Sequence, residues 1–178
     1  MHDFLQVRTA VYPQQGAAIT TDLIDFGGAT GVVAVMNFGT AIEVLRMGIT
    51  VDDNELLDVG AGMSIALKKY LIPGSSTNAV SLGTITTTAD VAKGDGLYNN
   101  LDTGDTDGET GEDGELRNES PRNNFDDGNK YIVYPGQQLV WDLTDAADTS
   151  GKGQVWVQYV ERPFAGVNEL TGYTEVTV

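Results

Sequence analysis

The chain contains no cysteine, one histidine and 5 prolines among 178 residues. Without cysteine there are no thiol nucleophiles, thiolate metal sites or disulfides. The single histidine is His2, at an end where chains fray. A Ser–His–Asp arrangement would have to use it, and no Gly-x-Ser-x-Gly elbow occurs. Basic residues are also scarce, 10 Lys and Arg against 26 Asp and Glu, for a net charge of -16. Such a chain repels a phosphate backbone, so no nucleic-acid partner is expected. The longest apolar run, Val32 to Met36, is far too short to span a bilayer, and no membrane partner is expected. No basic segment followed by an apolar stretch opens the chain, so no secretory signal is visible. A phosphate-binding Gly-x-x-x-x-Gly-Lys-Ser/Thr is absent as well.

What is present points to strands. The chain has 22 glycines and many Thr and Val, and its clearest periodicity is two. Met63, Ile65 and Leu67 alternate with Ser64, Ala66 and Lys68; Leu139, Trp141 and Leu143 alternate with Val140 and Asp142; Val155, Val157 and Tyr159 alternate with Trp156 and Gln158. Each pattern is that of a strand with one buried face. From Ile42 to Val51 the apolar set changes phase, since Ile42 and Val44 share one parity and Leu45, Met47, Ile49 and Val51 the other. A bulge near Val44–Leu45, or burial on both faces, accounts for that. About eight strands are expected, near 17–25, 31–37, 41–51, 63–72, 79–87, 130–134, 137–144 and 153–162. One helical turn is expected over 52–57, capped by its acids. The expected fold is all-β, an antiparallel, jelly-roll-like β-sandwich with extended N- and C-terminal arms. The sandwich covers 16–162, flanked by an N-terminal arm at 1–15 and a C-terminal tail at 163–178.

A long insertion at about 90–128 holds 12 acids and 3 bases, which makes it an exposed loop. Its carboxylates alternate with glycines, as hard-oxygen calcium ligands do, and Asp105, Asp107 and Glu109 are the metal candidates. With Gly108 as the turn glycine of an EF-hand loop, however, the first position is Thr103 and the twelfth is Gly114, so both key acids are missing. A solvated, self-repelling loop is the preferred reading, with no cofactor. A two-carboxylate glycosidase has many acids to draw on, yet nothing singles one pair out. The chain is read as a non-enzyme. Trp141 shares parity with core residues, whereas Trp156 lies on the second face of its strand, exposed or covered by a neighbouring subunit.

The stretch Lys130-Tyr-Ile-Val-Tyr-Pro-Gly-Gln-Gln-Leu-Val-Trp-Asp-Leu-Thr144, followed by Gly153-Gln-Val-Trp-Val-Gln-Tyr-Val-Glu-Arg-Pro163, resembles the C-terminal strand pair of phage virion jelly rolls. Short, cysteine-free, Gly/Thr-rich chains with extended termini are similar to the capsid decoration, or cement, proteins of tailed bacteriophages. The likeness covers residues 16 to 162 as a pattern of strands and carries no catalytic residue. It implies a structural protein of the virion, made in the host cytoplasm, that binds the major capsid protein on the outer capsid surface, commonly as a homotrimer. The charge agrees, because a strongly acidic subunit is repelled by packed DNA inside a shell. Arms on an edge-bearing sandwich are suited to strand addition, so Phe4, Leu5, Val7, Val11, Tyr12, Trp156, Tyr173 and Val176 are the expected interface residues. The alternative is a carbohydrate- or receptor-binding jelly roll, at a virion fibre tip or as a calcium-dependent adhesion domain.

Overall fold

The period-two segments form strands in the computed structural model, which describes residues 6–13, 23–52, 56–58, 60, 62–99, 109–110, 131–147 and 151–162. Numbered in chain order, the strands within the expected set are β2 (Ile24–Asp25), β3 (Gly31–Asn37), β4 (Ile42–Val51), β5 (Met63–Tyr70), β6 (Val80–Thr87), β9 (Ile132–Val133), β10 (Gln138–Asp145) and β11 (Lys152–Glu161). Three more come from segments read as arm or loop: β1 (Val7–Tyr12), β7 (Gly96–Asn99) and β8 (Glu109–Thr110). Residues 17–22 of the first expected strand lie outside the described residues.

Two antiparallel sheets make a sandwich. One has the order β1–β11–β4–β7–β8, with β2 also on β11 and β9 also on β4; the other has the order β3–β10–β5–β6. Apart from β1, β8 and β9, the pairing is nested: β2 with β11, β3 with β10, β4 with β7, β5 with β6. A long hairpin rolled over on itself gives this order, which makes the protein an all-β jelly roll.

Alternation sends one face of each strand inward. Met47, Ile49, Leu97, Val155 and Val157 from the first sheet meet Ile65, Leu67, Ile85, Leu139, Trp141 and Leu143 from the second, all buried. The phase change in β4 is a bulge: Gln158 faces Arg46 and Tyr159 faces Val44, so Leu45 has no opposite residue. The extra residue returns Val44 and Ile42 to the core face, and both are fully buried.

Two expectations need correction. Asp52, Leu56 and Leu57 are not helical; the N–H and C=O of Leu57 bond those of Val91 at 3.1 and 3.0 Å, and its side chain is buried. Burial of Leu57 and Val91 against the sandwich outweighs the capping signal; residues 53–55 lie outside the described residues. The acidic insertion is likewise not all loop at its start, since Val91 and Leu97 are core residues and β7 joins the sheet.

Candidate functional site

Residues 7–12, expected as part of an arm, lie in register along β11 as the edge of the first sheet, with Val7 opposite Val160 and Val11 opposite Trp156. Because Val155 and Val157 point into the core, Trp156 points out. The register continues across the sheet: Trp156 faces Gly48 on β4, and Gly48 faces Tyr98 on β7. One outward row therefore runs Val11, Trp156, Gly48, Tyr98 over four strands. The indole lies across Gly48, where an added Cβ would collide with the six-membered ring. The Arg46 guanidinium stands 4.9 Å from the Tyr98 ring centroid, in cation–π range. At one end of this face Arg162 pairs with Glu43, while Arg8 and Glu161, 2.7 Å apart, pair on the opposite side of β1 and β11. At the other end, the Gln154 amide donates to the Pro13 carbonyl at 3.0 Å, tying down the chain next to β1.

Of the expected interface residues, the structure brings Val7, Val11 and Trp156 to this outer face. Tyr12 faces the opposite side of β1, across from Val155, and is 40% exposed. Phe4, Leu5, Tyr173 and Val176 lie outside the described residues, as do Asp105 and Asp107; Glu109 belongs to β8, opposite Tyr98. Among the described residues no three His, Asp or Glu side chains gather to hold a metal ion. The sequence reading missed Gly48, Tyr98 and Arg46. An isolated glycine inside the apolar strand Leu45–Val51 is a signal of close approach and would have found the first. Replacing Gly48 with alanine should dislodge Trp156, cost about 1 kcal/mol and shift the tryptophan emission to the red. Unchanged emission would contradict the stacked placement.

Two buried polar groups sit on the inner side. Trp141 Nε1 has no hydrogen-bond partner among the described residues. Lys69 is only 4% exposed, and its ammonium donates to the Ile132 carbonyl at 2.9 Å. Burial pushes its pKa below the ordinary 10.5. The unfolded chain then holds this proton to higher pH than the folded one, so stability rises as pH climbs from the lowered value towards 10.5. Replacing Lys69 with methionine should remove that alkaline rise, seen as a flatter curve of stability against pH than the wild type gives.

No family model, curated protein or solved structure matches the chain.

Proposed function

We propose that the protein is a structural virion subunit, a cement or decoration protein that binds the major capsid protein on the outside of a phage capsid and associates with its own copies, as a homotrimer. The observation that carries this reading is the outward face of the first sheet, where an edge strand brings Val11 beside Trp156 and Val7 beside Val160. Aromatic and aliphatic anchors on a rigid sheet are the usual centre of a protein interface. The net charge of -16 supports an outer location, away from packed DNA. Assembly would follow synthesis in the host cytoplasm.

The test is co-sedimentation with shells of the major capsid protein, alongside mass by light scattering. Wild-type protein should saturate the shells and have a solution mass near three times 19.0 kDa. The double variant Val11→Asp, Trp156→Ala should bind at least about tenfold more weakly while keeping its circular dichroism. Equal occupancy by the variant would overturn the reading.

A second reading, a carbohydrate- or receptor-binding module, is favoured by one observation. Trp156 and Tyr98 flank Gly48 on a flat face, an arrangement on which a sugar ring can stack. Because Trp141 is buried, glycan-dependent quenching would report Trp156, the second of the two tryptophans.

A further inference from the structure

The two ends of the sandwich differ in charge. Asn37, which closes β3, and Tyr70, which closes β5, both lie opposite Gln138, which opens β10. The connections 38–41, 71–79 and 134–137 therefore share one end. Their sequences, Phe-Gly-Thr-Ala, Leu-Ile-Pro-Gly-Ser-Ser-Thr-Asn-Ala and Tyr-Pro-Gly-Gln, hold no charged residue. Among the described residues, the charges beside this end are paired or buried: Arg8 with Glu161, Arg162 with Glu43, and Lys69 inside the sandwich. At the opposite end Met63 opens β5 against Thr87, which closes β6. The connections there, 52–62 and 88–95, hold Asp52, Asp58, Asp90 and Asp95 against Lys93 among their described residues.

The uncharged end carries an apolar tip. In the turn after β5, Leu71 is 41% exposed and Ile72 60%, the most of any large apolar side chain among the described residues. Pro73 follows them in the same turn, and Pro135 is exposed in the turn before β10. The tip is held in shape. The Ser75 N–H donates to the Ile72 carbonyl at 3.0 Å, and the Gly74 N–H donates to Gln138 Oε1 at 2.8 Å, which ties the turn to the start of β10. Exposed apolar side chains on a fixed turn mark a place of contact with another molecule. Interface centres are depleted of charge, because burying a carboxylate without a partner is costly. Covering this end meets paired or buried charges, whereas covering the opposite end would bury aspartates.

We propose that this end, with Leu71 and Ile72 at its centre, is the foot on which each subunit stands, seated in an uncharged, apolar recess of the major capsid protein. The inference rests on the capsid reading above and adds an orientation to it. The acidic end points away from the shell, and the outward face of the first sheet stands upright for contacts between copies. Three such feet in a homotrimer act together, so a variant that breaks the trimer also loses hold of the shell.

Co-sedimentation of the full chain with shells of the major capsid protein tests it, with light scattering and circular dichroism on each variant. Ile72→Asp should bind at least about tenfold more weakly, and Ile72→Ser should lose less, both at the wild-type solution mass. Leu56→Asp is the control, because Leu56 is 43% exposed in the 52–62 connection at the acidic end. It should bind as the wild type does. Equal occupancy by Ile72→Asp and wild type would overturn this proposal and leave the capsid reading standing, and so would equal losses in Ile72→Asp and Leu56→Asp. A changed solution mass in Ile72→Asp would assign the tip to contacts between copies and overturn the proposal as well. Failure of the wild type to bind shells would overturn both it and the capsid reading.

Discussion

Replacing Trp141 with alanine is expected to cost about 3–5 kcal/mol of unfolding free energy. The side chain is fully buried on β10, the strand between β3 and β5, with Ala34 and Leu67 as its opposite residues. Ala34 leaves space on one side, and Leu139, Leu143 and Leu67 pack the rest, so truncation opens a cavity that these strands cannot close. Phenylalanine separates volume from polarity. It also loses contacts, yet it removes a buried indole N–H that has no partner among the described residues, and an unpaired donor costs about 1–3 kcal/mol. The phenylalanine variant should therefore fall short of wild type by less than about 2 kcal/mol. Denaturant titration followed by circular dichroism measures both. An alanine variant within about 1 kcal/mol of wild type would mean that Trp141 is not the centre of the core.

The second large effect belongs to Gly153. It lies on β11 with Val51 of β4 on one side and Ile24 of β2 on the other. A Cβ there would run into the Thr50 carbonyl oxygen and come within 3.0 Å of the Phe26 ring. The oxygen belongs to a strand paired on both sides, and Phe26 is wholly buried, so neither can give way. Alanine at 153 should cost about 1–3 kcal/mol or more, and at ~2–4 °C per kcal/mol for a chain of this size the melting temperature falls by several degrees. Exchange should quicken first around Ile24–Phe26, where β11 is the one strand paired with β2 among the described residues. Gly39→Ala is the control, because nothing lies within 4 Å of its added Cβ. A Gly153→Ala variant that melts with that control would refute the close approach.

Strands with one fully buried face were legible in the sequence, because burial writes a period of two into residues such as 63–67 and 139–143. The β4 bulge was legible for the same reason, since inserting Leu45 shifts the parity of every apolar residue after it. β1 was not, because an edge strand has only one neighbour and its burial is partial on both faces, so Val7–Tyr12 shows no clean alternation. β7 was hidden differently: its core residue Leu97 sits between acids, and composition over a long window masked a four-residue strand. The outward row was half visible. Trp156 declared its face by parity, whereas Tyr98 and Arg46 join it only through pairings between distant segments. Such pairings depend on register, which a single sequence does not contain.

The nested strand order also sets a timetable for the growing chain. The inner pair, β5 with β6, is local and can form as soon as residue 87 has emerged. Each later pair encloses the one before it: β4 waits for β7, β3 for β10, and β2 for the beginning of β11. Contacts this far apart in sequence carry a large loop-closure cost and slow the search. Apolar strands 31–37 and 42–51 must therefore stay soluble on the ribosome while the acidic insertion is being made. Its carboxylates supply repulsion between nascent chains during that interval. The molecule closes from the middle outwards, and the strands made first are among the last to be held.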